Sequence, residues 1–243
     1  MRAFIAVELP AEVRQALAAL ARGLAASRAD VKWVEEDHLH LTVRFLGEIT
    51  DEQRSAIEGL LGRLTQAHGP VRLQLSDLGA FPSLSAPRIL CVGVGQGAEE
   101  LTRLAEAIEE GLGTLGLPRE PRAFTAHITV GRARSPSNRS QLVDRMKALH
   151  WEPRAPFPVT HLTLFESHLT SMAAVYTALA ILPNRGRSGA TTVTLASLAW
   201  QRAPSRARCS SFGSSQDGPV TMSSWGHTRP QIAGNRLASV RRS

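Results

Sequence analysis

Two short segments stand out for what their side chains could do together. In His38-Leu39-His40-Leu41-Thr42-Val43-Arg44-Phe45, strand alternation predicts His38, His40, Thr42 and Arg44 on one face and Leu39, Leu41, Val43 and Phe45 on the other. In Phe124-Thr125-Ala126-His127-Ile128-Thr129-Val130-Gly131, His127 and Thr129 share one face while Phe124, Ala126, Ile128 and Val130 take the other. Each segment therefore offers His-x-Thr from a strand, and the two copies lie 87 positions apart. An unperturbed imidazole has a pKa of about 6.5, so of two imidazoles at neutral pH one can hold a proton and the other lack it. Phosphodiester cleavage needs that division, with a general base on the attacking oxygen and a general acid on the leaving oxygen. The threonine hydroxyls could bond the non-bridging oxygens.

Neighbouring residues are less specific. Arg44, Arg132 and Arg134 fit either as phosphate contacts or as solvated surface cations. His38 and His40 form His-x-His, which could hold zinc from one strand face, but the sequence offers no obvious carboxylate or cysteine to complete such a site. The His-x-Thr pattern also occurs at His161-Leu162-Thr163, where the shared face includes Val159 and Phe165; this mixed face marks His161 as a structural strand residue. Phe45 reads as core. Phe81, in a Pro/Ser-rich stretch, reads either as a cleft-side aromatic or as packing. His68, His150, His168 and His227 have no supporting context, and two cysteines, Cys91 and Cys209, supply neither a disulfide framework nor a cysteine-based zinc site.

The elements that must position these residues alternate. Strands are predicted at Phe4 to Glu8, Val31 to Val34, Leu39 to Leu46, Val71 to Leu78, Arg88 to Val94, Ala126 to Gly131, Phe157 to Phe165 and Val175 to Ile181. Helical periodicity runs through Ala11 to Ala26, Ser55 to Leu64, Glu99 to Leu112 and Ser140 to Leu149, with Thr50-Asp51 as an N-cap. Strands and helices fall into two similar sets, each with one histidine-bearing strand, which predicts an α+β body of two lobes. At 43% hydrophobic and 20% charged, the 243 residues have an ordinary globular composition, excluding collagen, coiled coil and wholesale disorder. No apolar run approaches the ~18 residues of a membrane span, and Glu8 interrupts the N-terminus too early for a signal peptide, so a cytoplasmic location is expected. The net charge of +7 is local: residues 1–183 carry 19 Lys and Arg against 20 Asp and Glu, whereas residues 184–243 carry 9 Arg against one acid, Asp217. The expected organisation is a domain over 1–183 and a basic, Ser/Arg-rich extension over 184–243. The extension lacks sustained periodicity beyond Thr191 to Trp200 and is expected to be largely disordered, with an RNA-contacting arm as the alternative reading.

In order and spacing, Phe4-Ile5-Ala6-Val7-Glu8-Leu9-Pro10, Leu39-His40-Leu41-Thr42-Val43-Arg44-Phe45-Leu46-Gly47-Glu48, Leu78-Gly79-Ala80-Phe81-Pro82 and Phe124 through Arg132 resemble the two-histidine (2H) phosphoesterases. The resemblance is specifically to their RNA 2′,3′-cyclic phosphodiesterase or 2′-5′ RNA ligase-like (LigT-like) branch. The resemblance continues through Phe165-Glu166-Ser167-His168-Leu169 to about Pro183 and does not reach the extension. It implies a bilobal fold of two pseudo-symmetric lobes, each an antiparallel sheet with helices outside, around a central cleft carrying one HxTx motif per lobe. It makes His40 the proton donor and His127 the proton acceptor, with Thr42 and Thr129 binding substrate and Val43 and Val130 closing the motifs. Water would open the cyclic phosphate at the 3′ oxygen to leave a 2′-phosphomonoester, and an RNA 5′-hydroxyl in place of water would give a 2′-5′ linkage. No metal or cofactor is implied. The expected partner is RNA with a 2′,3′-cyclic phosphate end or a related cyclic nucleotide, met by a monomer without a membrane. Three rivals remain open at this stage: a non-catalytic RNA-end binder, a metal hydrolase built on His38 and His40, and a phosphodiesterase of another small cyclic phosphodiester.

Overall fold

The computed structural model describes residues 1–152, 155–169 and 174–184. The expected extension beyond Asn184 and its possible role as an RNA arm lie outside the described residues. In chain order the elements are β1 (Arg2–Glu8), α1 (Ala11–Ala25), β2 (Val31–Trp33), a 3-10 turn (Glu36–His38), β3 (His40–Glu48), α2 (Asp51–His68), β4 (Val71–Leu73), β5 (Leu75–Phe81) and β6 (Ile89–Val94). They continue with α3 (Ala98–Thr114), β7 (His127–Ala133), α4 (Arg139–Ala148), β8 (Phe157–Val159), β9 (His161–Leu169) and β10 (Ala174–Pro183).

Local chemistry explains the main boundaries. Val13, Leu17, Leu20 and Leu24 form the buried stripe of α1. Thr50 caps α2 through a reciprocal box: its hydroxyl accepts from the Gln53 amide and the Gln53 side chain accepts from the Thr50 amide, while Asp51 and Glu52 favour the positive end of the helix dipole. β1 is buried from Ala3 to Val7 on both faces, as a central strand requires. Two predicted strands are each interrupted. Gln74 separates β4 from β5 and Thr160 separates β8 from β9, so that the short pieces β4 and β8 leave the main sheet and pair with each other.

The main sheet runs β10-β9-β1-β3-β7-β6-β5, with β2 paired to β7, and every pairing is antiparallel. This order has a hidden symmetry. β1, β3, β5 and their helices α1 and α2 correspond in sequence order to β6, β7, β9, α3 and α4, so β9-β1-β3 mirrors β5-β6-β7 about a pseudo-two-fold axis. The axis passes through the single β3–β7 bridge, Leu41 to Ile128. The last strand of each half completes the sheet of the other: β5 pairs with β6, and β9 with β1. The helices exchange in the same way, α1 packing on β7 and α4, and α3 on α2 and β3. At corresponding places a glycine permits each close helix approach, Gly23 against Leu149 and Gly111 against Leu60. The result is the expected α+β body of two lobes, with the apolar core between sheet and helices.

Candidate active site

His40 and His127 are each the first residue of their strand. His38 therefore sits not on the strand but at the end of the 3-10 turn, and its contribution includes its backbone: its carbonyl accepts the Nδ1 hydrogen of His40 at 2.7 Å. The Thr125 carbonyl does the same for Nδ1 of His127, also at 2.7 Å. Because a carbonyl only accepts, both imidazoles are held with hydrogen on Nδ1, leaving Nε2 as the basic nitrogen. Two identical local devices thus prepare two identical proton-transfer atoms.

The axis brings them together. Leu41 faces Ile128 across the bridge, so the register one residue to either side sets His40 opposite Thr129 and Thr42 opposite His127. All four side chains lie on the face away from Leu41 and Ile128, which are buried in the core. Directly opposed residues stand about 5 Å apart and diagonal ones about 7–8 Å, so the two imidazoles, diagonal to each other, bracket a space suited to one phosphate group.

Beyond Thr42 the expected alternation breaks. Ala6 pairs with Thr42 but Ile5 with Arg44, leaving Val43 as a bulge. The bulge turns Arg44 to the helix side and returns Phe45 to the histidine face, the reverse of the sequence expectation for both residues. Arg44 donates from Nε to Glu109 on α3 at 2.5 Å and from Nη2 to the Pro118 carbonyl at 2.5 Å, with a further bond to the Phe45 carbonyl, so its guanidinium clamps α3 and the following segment to β3. Phe45, expected in the core, is 55% exposed. The second strand has the matching bulge at Val130: Cys91 pairs with Thr129, Leu90 with Gly131 and Ile89 with Arg132. Arg132 accordingly lies on the histidine face at the place equivalent to Phe45, while Gly131 replaces Arg44. The positive charge of Arg132 acts on His40, His127 and Tyr176 alike. Arg134 is exposed and joins the structure through its backbone, donating to Asp30.

Aromatic rings floor the site. Phe4 lies 5.0 Å from His40 and 5.2 Å from Phe165, and Phe81 packs edge-on against His127 at 5.0 Å, which makes Phe81 the counterpart of Phe165. Tyr176 on β10 stands edge-on to His40 at 5.5 Å, near His38 at 5.1 Å. Sequence reading did not single out Tyr176, Phe4 or Phe165; the only available signal was that Tyr176 is the sole tyrosine of the chain. Burial pushes His40 down to about 4, with the charges of His38 and Arg132 adding to the fall and the His38 carbonyl opposing it. Burial also lowers His127, opposed by the Thr125 carbonyl and assisted by Arg132. Burial raises Tyr176.

His161 takes the structural role expected of it. Its Nε2 lies 3.4 Å from the Glu8 carboxylate, which also accepts from the buried Thr163 hydroxyl at 2.7 Å. Burial alone would raise Glu8; the bonds to His161 and Thr163, with the charges of His161 and Arg14, leave it lowered overall. His168 pairs with Glu166, and His150 with Glu152. Among the described residues no three His, Cys, Asp or Glu side chains gather as a metal-ligand group, and no described helix is long and apolar enough to cross a membrane.

The sequence pattern of the LigT like Phosphoesterase family matches the chain twice in tandem, over residues 7–91 and 92–176, the two halves related by the axis. The chain is 34% identical over 195 residues to an RNA 2′,3′-cyclic phosphodiesterase of Thermus thermophilus, covering 78% of this chain and 93% of that one. It is 33% identical over 176 residues to an enzyme of the same name from Archaeoglobus fulgidus, covering 72% and 96%. A crystal structure of a Thermus thermophilus protein superposes with a TM-score of 0.65 at 31% identity, over 77% of this chain and all of that one. Escherichia coli LigT complexed with 3′-AMP superposes with a TM-score of 0.59 at 28% identity, over 75% of this chain and 97% of that one.

Proposed function

Since the chain belongs to the LigT-like phosphoesterase family, we propose that it hydrolyses RNA 2′,3′-cyclic phosphate ends to 2′-phosphomonoesters, with His40 as proton donor and His127 as proton acceptor. One observation carries this reading: two histidines in the same tautomer and two threonines meet across the bridge on the pseudo-two-fold axis. Nε2 of His127 takes the proton of the attacking water, the water oxygen bonds to phosphorus, the bond to O3′ breaks, and His40 supplies the proton that O3′ needs. Thr42 and Thr129 bond the non-bridging oxygens, and Arg132 offsets their charge. An RNA 5′-hydroxyl in place of water would join two chains by the same proton movements.

Both histidines come from one chain, so a monomer suffices, and an RNA substrate fits a cytoplasmic enzyme; size-exclusion chromatography tests the first inference. Incubation of the protein with a cyclic-phosphate-terminated RNA should convert the end to a 2′-phosphate. An unchanged cyclic end would overturn the proposal. The non-catalytic rival is separated by His40→Ala and His127→Ala, which should bind the RNA and fail to open it.

A further inference from the structure

A proton donor and a proton acceptor differ in charge, yet the two rings that take these roles are prepared alike. Each holds its Nδ1 hydrogen against a backbone carbonyl at 2.7 Å, burial lowers each, and the charge of Arg132 acts on both. An anionic phosphodiester lying between them favours a proton on either ring. Burial moreover presses His40 down to about 4, so the ring that must give a proton is one that holds it reluctantly. Something outside the two motifs has to choose.

The first half of the site carries a carboxylate where the second half has none. On one side of β1, Glu8 is the strand partner of His40. On the other side β1 pairs with β9, Ala6 facing Thr163, so the next position of the same face sets Glu8 opposite His161. His161, Glu8 and His40 thus form one row across β9, β1 and β3, and the third His-x-Thr of the chain is the outer end of that row. The Glu8 side chain is only 15% exposed; its Oε1 accepts from the Thr163 hydroxyl at 2.7 Å and lies 3.4 Å from Nε2 of His161, whose Nδ1 is 2.9 Å from the Thr160 hydroxyl. Burial opposes ionisation of Glu8, but the bonds to His161 and Thr163 and the charges of His161 and Arg14 outweigh it and hold the carboxyl below its ordinary range. In the second half the strand partner of His127 is Gly93, where a side chain would come within 2.7 Å of the Ser76 hydroxyl. Asp77, beyond Gly93 on β5, is exposed, so water and salt screen its charge. Strand partners stand about 5 Å apart; His40 therefore has a shielded, ionised neighbour that has no counterpart beside His127 among the described residues.

We propose that Glu8 assigns the two roles: its charge, held in place by Thr163 and His161, puts the proton of the substrate-bound site on His40 and leaves His127 free to act as base. Glu8 is then a positioning residue, acting on the proton and not on the substrate. An opposite charge a few ångströms from an imidazole favours its protonated form, and here that preference exists for one ring only. Of the other groups facing His40, His38 and Arg132 act with positive charge, and Phe4 and Tyr176 with neutral rings. The balance of the reaction is unchanged. His127 Nε2 takes the proton of the attacking water, His40 gives its proton to O3′, and after product release each ring returns to its starting state by exchange with solvent. The inference rests on the cyclic-phosphodiesterase reading above.

The test is kcat against pH for Glu8→Gln, which removes the charge and keeps an acceptor for Thr163, with a cyclic-phosphate-terminated RNA as substrate. In a bell-shaped profile of kcat the falling limb at high pH reports the donor in the complex and the rising limb the acceptor. Glu8→Gln should move the falling limb about one unit toward lower pH, so that kcat beyond the limb drops about tenfold, and should leave the rising limb in place. Glu8→Asp keeps the charge and should keep the wild-type limb. In His40→Ala, where the proton has no ring to settle on, adding Glu8→Gln should change kcat by less than about twofold. Limb positions are read from the molecules that turn over, so a smaller folded fraction does not shift them. An unchanged profile, a uniform loss at every pH, a shift of the rising limb, or an equal loss in the His40→Ala background would each overturn the proposal while leaving the phosphodiesterase reading in place. A cyclic end left unopened by wild type would overturn both.

Discussion

At the residue scale the chemistry depends on two imidazoles that are both neutral in the empty site at pH 7, because burial and Arg132 disfavour their charged forms. The donor gains its proton when the anionic phosphodiester arrives and reverses that balance. Loss of either ring should lower kcat by about 10²–10⁴-fold, measured with His40→Ala and His127→Ala on a cyclic-ended RNA, with KM changing far less. The same shifts tie stability to pH. Both histidines have folded pKa values below the unfolded 6.5, so the stability they contribute is present above 6.5 and is lost as pH falls; for His40 the loss runs down to about 4. Urea midpoints should therefore drop between pH 7 and 4, and the slope should flatten in His40→Gln. The catalytic pairs were legible in the sequence because alternation needs only neighbours. Arg44 and Phe45 were not, since the bulge at Val43 is set by the partner strand β1 and nothing in a valine announces it.

Among the elements, α3 and β3 illustrate how far apart in sequence the support of a site can lie. The Arg44 side chain is only 11% exposed; its Glu109 partner also accepts from the Glu120 amide at 2.7 Å, which fastens the segment leading from α3 toward β7 and His127 onto the strand of His40. Arg44→Ala would leave Glu109 with no cation at bonding distance among the described residues, at a cost of about 3 kcal/mol, visible as a lower urea midpoint; Arg44→Lys should recover only part of it because an ammonium cannot span both acceptors. The Thr50 cap is a smaller effect, and Thr50→Ala should cost about 1 kcal/mol. Helices were legible from their apolar repeats and caps. The division of β4 from β5 and β8 from β9 was not, because the pairing of the short pieces joins residues more than eighty positions apart. Tyr176 escaped for the same reason: its significance comes from β10 lying beside β9.

For the whole molecule, the two lobes and their histidine strands could be read from the sequence, but the order of strands could not, since periodicity says nothing about which half completes which sheet. A chain ending at Asn184 is expected to keep its melting temperature and its kcat within about twofold, because the described elements end at Pro183 and the second family match ends at residue 176; calorimetry and turnover of the shortened protein check this. The exchange of final strands has its own consequence. Severed between β5 and β6, the polypeptide would yield two fragments, 1–86 and 87–243, each lacking the outer strand that covers its central one and each holding half of the proton-transfer pair. Neither should catalyse anything by itself, and mixing should reconstitute turnover. Two copies of a single such half, clasped by the same reciprocal insertion, would already contain a complete catalytic pair.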